Sequence, residues 1–281
     1  LFRLKMSGSS SIVFVGVAPH PPIMVPEVGR EAISEVRGSL DAMRALTERI
    51  NASGAQTLVL ISPHAPLAPR AFVAYDEPVL HGDFANFRAP AATVSAPLDA
   101  ELLDAIEAAA SKDGFQLLRL GHGHELDHGT AVPLYFFLRH GWRGRVVALG
   151  YTFLDNEAHV RFGASVARAA HRLGRAVAFV ASGDLSHRLK PGAPAGYQPE
   201  AHLFDEEIVA AVNDAALERI VNVDQNLRRL AGECGYRSLL VAVGAAGELT
   251  PAAEVLHYEA PFGVGYMVAQ LARGASANGT D

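Results

Sequence analysis

Ile12-Val13-Phe14-Val15-Gly16-Val17 runs into Pro19-His20-Pro21-Pro22, and Thr57-Leu58-Val59-Leu60-Ile61 runs into Ser62-Pro63-His64. Both runs are unbroken stretches of β-branched, aliphatic and aromatic residues, the pattern of a strand buried on both faces. A histidine follows each of them. Between the two, Val28 is followed by Ile33, Val36, Leu40, Met43, Leu46 and Ile50, which recur every three or four positions. That spacing predicts an amphipathic helix over 27–51, ended by Ser53-Gly54. Buried strand, helix and buried strand form the repeating unit of a sheet covered by helices. Ligands of such sheets gather beyond the carboxyl ends of the strands, and His20 and His64 both sit there.

The alternation continues along the chain. Residues 98–110, 131–138 and 156–173 read as helices, and 115–120, 145–150 and 176–181 as strands. Residues 65–96 lack helical periodicity and carry Pro66, Pro69, Pro78 and Pro90, which predicts a short hairpin or an excursion over the site. Residues 190–199 hold three prolines and two glycines and read as a surface loop, a candidate lid. Helices over 200–213 and 234–246 flank a polar connection, and 254–269 returns to strand. The expected fold is α/β, a single domain over 12–273 with a central mostly parallel or mixed sheet flanked by helices on both faces. Residues 1–11, with Met6 as the candidate natural start, and 274–281 are expected to be flexible.

With 281 residues, 49% of them hydrophobic, the chain can build a sizeable core. Charged residues make up 19% and the net charge is −6, so no basic field exists to attract nucleic acid. The single cysteine, Cys234, excludes an internal disulfide framework and fits a reducing cytoplasm, where ferrous iron persists. The longest apolar stretches are one strand long, far short of the roughly 20 residues that span a bilayer. A soluble, cytoplasmic protein is expected.

The chemistry lies in five short islands. Proline rings on both sides of His20 hold its backbone and reduce the entropy lost when the imidazole is fixed on a metal, although such corners also place histidines that merely bond a carbonyl. His64 repeats the arrangement. Leu126-Asp127-His128-Gly129 and Asp184-Leu185-Ser186-His187 offer His128 and His187 for acid and base work, since imidazole titrates near neutrality. Asp127 and Asp184 are candidate orienting partners, and the second island also reads as a turn with a helix cap. Glu233 opens a helical run through Leu239, Leu240 and Val243. It answers the helix dipole, for roughly 0.3–1 kcal/mol, or it is a third ligand that completes the two-histidine, one-carboxylate facial triad of non-haem ferrous oxygenases. Cys234 competes with it, because adjacent helical residues point about 100° apart. Cys234 as a nucleophile, or as a small buried hydrophobe, is also compatible with the sequence. His122 and His124 read as rim residues, and His81, His140, His159, His171 and His202 as surface groups. His257 and Tyr258 are candidates to line a pocket. Walker loops, Gly-x-Ser-x-Gly elbows and paired Cys-x-x-Cys motifs are absent.

At these residues the chain resembles the catalytic chains of the class III extradiol ring-cleavage dioxygenase superfamily and their Memo-like relatives. The resemblance extends from His20 to Phe262-Gly263-Val264-Gly265-Tyr266. It implies His20, His64 and Glu233 as ligands of Fe(II), His128 near dioxygen and the substrate hydroxyls, and His187 as the acid/base residue. The implied reaction is cleavage of the aromatic ring of a catechol-type diol by O2, as in aromatic catabolism. In the Memo-like branch the third position is similar to Cys234-Gly235, whereas ring-cleaving members use a carboxylate; Glu233 is favoured here because hard donors suit ferrous iron. The alternatives are a Zn(II) or Cu enzyme on the same fold, or a Memo-like metal-binding or protein-binding module. Arg70, Arg188 and Arg237 are candidates to bind an acidic substituent of the substrate, and relatives suggest a homodimer.

Overall fold

The computed structural model describes residues 11–247, 249 and 251–274. Met6 and all but the inner edges of the two expected flexible ends lie outside the described residues. The chain runs β1 (Ile12–Ala18), a 3-10 turn (Pro22–Met24), α1 (Pro26–Gly29), a 3-10 segment (Arg30–Val36), α2 (Arg37–Ala52) and β2 (Thr57–Ser62). Next come β3 (Ala71–Tyr75), β4 (Val79–Phe84), β5 (Ala89–Pro97), α3 (Ala100–Lys112), β6 (Gln116–Leu120), α4 (His128–Arg139), β7 (Arg145–Gly150), α5 (Asn156–Leu173) and β8 (Val177–Ser182). The last part holds α6 (His202–Asn213), α7 (Leu217–Val221), α8 (Gln225–Ala231), α9 (Tyr236–Ala246), β9 (Pro251–Glu259) and β10 (Tyr266–Arg273).

Eight strands form one mixed sheet in the order β6-β3-β7-β2-β8-β1-β10-β9, and β4 and β5 make a separate hairpin. The centre, β7-β2-β8-β1, is parallel throughout. Every residue of β2 and β8 is buried, as their uninterrupted apolar sequences require. Strand β3 runs antiparallel to β7, and the β9-β10 hairpin closes the other side antiparallel to β1. Helices α2 and α4 pack together against the sheet, while α5 packs between α3 and α9. Helices α5 and α9 meet at Gly163 and Gly244, where the facing backbones leave no room for a Cβ. Among the described residues no helix is long and apolar enough to cross a membrane.

Three sequence expectations change. The helix expected over 27–51 is broken, because Gly29 closes on the Ile23 carbonyl and Arg30 takes φ 49°. Within 65–96 the hairpin is present, but Ala71–Tyr75 also inserts into the main sheet between β6 and β7. The polar connection after α6 contains two short helices, α7 and α8.

Candidate metal centre

Strand β8 lies between β1 and β2, with Ala18 level with Ser182 and Ile61 level with Ala181. Three parallel strands therefore end side by side, and their carboxyl ends deliver His20, His64 and the Asp184–His187 loop to one place. Ser182 donates its hydroxyl to the Gly129 carbonyl at 2.5 Å, leaving its oxygen to accept from His20 Nδ1 at 3.0 Å. The His20 proton is thereby kept on Nδ1, and Nε2 turns a bare lone pair into the cleft. That Nε2 lies 3.0 Å from His64 Nε2 and 3.6 Å from Cys234 Sγ. Among the described residues, His20, His64 and Cys234 form a group whose ligand atoms all lie within 4.8 Å of one another.

The two aspartates act on the loops rather than on the imidazoles beside them in sequence. Asp184 Oδ1 accepts the main-chain N–H of His20 at 3.0 Å. Asp127 accepts from Ser62 Oγ at 2.5 Å and from Tyr75 Oη at 2.9 Å, while Ser62 Oγ accepts the N–H of His64 at 3.1 Å. Asp127 also caps α4 through Thr130 N at 3.1 Å. Each histidine loop is thus tied down by an aspartate from a different strand end or helix start.

Burial, then the neighbouring His64, His128 and His187, holds the His20 imidazole well below its ordinary range. Burial and His128 lower His64 to about 4. Both rings are therefore neutral near pH 7, the form that binds metals. Burial first, and the Asp184 charge second, pushes the Cys234 thiol well up, so ligation there entails loss of its proton. Asp184 is raised by burial to about 7. A tetrahedral ion with metal–nitrogen bonds of ~2.05 Å and a metal–sulfur bond of ~2.3 Å sets N···N at about 3.3 Å and N···S at about 3.6 Å. The His20–Cys234 separation matches such an ion, and the two imidazole nitrogens lie a few tenths of an ångström closer than it requires.

His128 is the first residue of α4, and its ring stacks on His64 at 4.2 Å and meets Phe87 edge-on at 5.5 Å. His187 lines the same cleft, and its Nε2 is buried without a hydrogen-bond partner. Burial lowers both imidazoles. Above this floor a cleft of about 450 Å³ is walled by Pro21, Pro22, Ile23, Pro194, Phe262, Val264 and Tyr266.

Glu233, the expected third ligand, is turned away from His20 and His64. Its Oε2 accepts the N–H of Tyr236 at 2.7 Å at the start of α9, and its Oε1 lies 3.2 Å from Arg228 Nη2. The helix-terminus reading of Glu233 prevails, and Cys234, the alternative ligand, faces the histidines. The cause is a close approach: Gly183 and Gly235 touch with no space for a Cβ, and Gly235 N donates to the Asp184 carbonyl at 3.0 Å. This fixes the start of α9 against the end of β8 with Cys234 inward.

The structure leaves several other candidates outside the cleft. His257 lies over Gly38 of α2, 3.4 Å from Glu259, and Tyr258 donates to Asp205 at 2.7 Å. Arg237 stacks across Tyr151 and Phe153 at 5.7 and 5.4 Å. Arg70 and Arg188 do not line the cleft either. His159, expected at the surface, is fully buried between the Asp155 and Thr152 carbonyls. Sequence reasoning missed Ser62 and Ser182; the signal was that β2 and β8 both end in serine just before a chemical island.

Fold and cleft together define the class of protein. The chain belongs to the family described as the catalytic LigB subunit of aromatic ring-opening dioxygenase, which matches residues 15–269. It is 33% identical over 261 residues to protein CA_C1420 of Clostridium acetobutylicum, covering 90% of this chain and 56% of that protein. It is 29% identical over 140 residues to the MEMO1 family protein Mbar_A1422 of Methanosarcina barkeri, covering 48% of this chain and 49% of the other. The matches thus span about half the length of these curated relatives. The crystal structure of the uncharacterized protein JW3007 from Escherichia coli K12 shares the fold, with a TM-score of 0.63 and 15% identity over 92% of this chain and 99% of that one.

Proposed function

We propose that this chain is a metal-dependent oxidoreductase that opens the ring of a small aromatic diol with O2, with His20, His64 and Cys234 as the metal ligands. The observation that carries the reading is the bare Nε2 of His20, held by Ser182 and facing a second imidazole and a thiol. Family membership supports it. A transition metal bound there would anchor the diol oxygens and conduct electrons between substrate and dioxygen. The chain's own residues do the rest. His187, neutral and with Nε2 unpartnered, accepts a proton from a substrate hydroxyl. His128, stacked on His64, stands ready for a second proton, and the apolar wall excludes water from the ring.

One observation favours a second reading. Sulfur rather than carboxylate completes the donor set, which shifts preference from Fe(II) toward copper or zinc. The chain would then be a Memo-like metal-binding protein without ring opening. Metal analysis after anaerobic purification, followed by oxygen uptake against a panel of catechols with a His64→Ala control, separates the two. Iron-dependent uptake with a coloured ring-opened product, lost in the control, supports the oxidoreductase. Tight zinc or copper binding without uptake selects the second reading.

A further inference from the structure

We infer that the substrate of this cleft is an uncharged aromatic diol carrying an apolar substituent, with no carboxylate, sulfonate or phosphate on the ring. The inference rests on the proposed diol-binding function. A single-ring diol seated on the histidine floor directs its substituents at Pro21, Pro22, Ile23, Pro194, Phe262 and Val264. These side chains offer methylene, methyl and aromatic surface. The volume of about 450 Å³ lies within the ~300–1,000 Å³ of small-molecule sites, so a ring has space for an apolar group beside it.

An anionic substituent would lose its hydration against this wall without meeting a cation, since the lining holds neither lysine nor arginine and only the Tyr266 hydroxyl beside the imidazoles and Asp184, and an unpaired buried carboxylate is strongly disfavoured. The cations nearest in sequence to the cleft residues lie outside its lining. Lys190 donates to the Pro261 carbonyl over the Phe262 ring. Arg188 runs along Gly232, Arg228 pairs with Glu233, and Arg237 lies across Tyr151 and Phe153. The imidazoles of His20, His64 and His128 are packed with centroids 4.2 to 5.6 Å apart, an arrangement that opposes like charges.

The test is anaerobic calorimetric titration of the Zn(II)-loaded protein with 4-ethylcatechol, 3,4-dihydroxyphenylacetate and the methyl ester of that acid. The ethyl compound and the ester should bind at least tenfold more tightly than the acid, the ester showing that charge and not size is sensed. Ile23→Arg, which sets a guanidinium in the wall, should bring the ratio close to one; an unchanged ratio in the folded variant would overturn the assignment of selectivity to the wall. Lys190→Ala should leave the wild-type ratio intact. Acid binding as tightly as the ethyl compound overturns the substrate class while the diol site stands. Failure of all three to bind despite bound zinc overturns the diol site, and the inference with it.

Discussion

Glu233 and Cys234 are neighbours with opposite duties, and each can be removed by itself. Cys234→Ala should weaken metal binding by more than tenfold in a competitive chelator titration, because only two imidazoles remain. Glu233→Ala should leave that affinity nearly unchanged but cost roughly 2–4 kcal/mol in urea unfolding, as α9 loses its cap and the mostly buried Arg228 its partner. Ser182→Ala releases the His20 ring and should cost ~10–100-fold in metal affinity, as partners behind a ligand commonly do. Asp205 sets a pH dependence. It accepts from Ser186 N and Tyr258 Oη, and burial raises it from 3.8 to about 7. Between those values the folded chain keeps a proton that the unfolded chain has released, so this group's stabilisation is complete below about pH 4 and fades as pH rises through about 7. Asp205→Asn should flatten its share of that decline, measured as denaturant midpoint against pH.

Elements decide what is legible in the sequence. Strands β2 and β8, all buried, and β1, buried but for Val13, are readable because their runs are apolar almost throughout, and His20 and His64 are readable because they stand directly behind two of them. Strand β3 is hidden: its five residues sit in a proline-rich stretch, and its place between β6 and β7 comes from partners distant in sequence. The break at Gly29 and Arg30 is hidden for a similar reason, since it depends on contact with the Ile23 carbonyl and not on periodicity. The choice between Glu233 and Cys234 is illegible because the contact of Gly183 with Gly235 sets how α9 begins. Gly235→Ala tests this. Its Cβ would lie 2.9 Å from Gly183 Cα, so the variant should lose roughly 1–3 kcal/mol and also bind metal more weakly, as read by unfolding and chelator titration together.

For the whole molecule, a metal that binds only the folded chain adds about 2.7 kcal/mol at a free concentration of 100 times Kd. The melting temperature should therefore rise with added ion, fall back with chelator, and stay flat in His20→Ala. His20 and Cys234 are 214 positions apart, and they meet only after β1, β8 and α9 have docked. During synthesis the two imidazoles leave the ribosome before the sulfur. An ion caught by the growing chain would be held by a pair of nitrogens and would stay exchangeable until the sulfur arrives. Metal choice would thereby be deferred until β1, β8 and α9 have docked, and ion retention would report that docking.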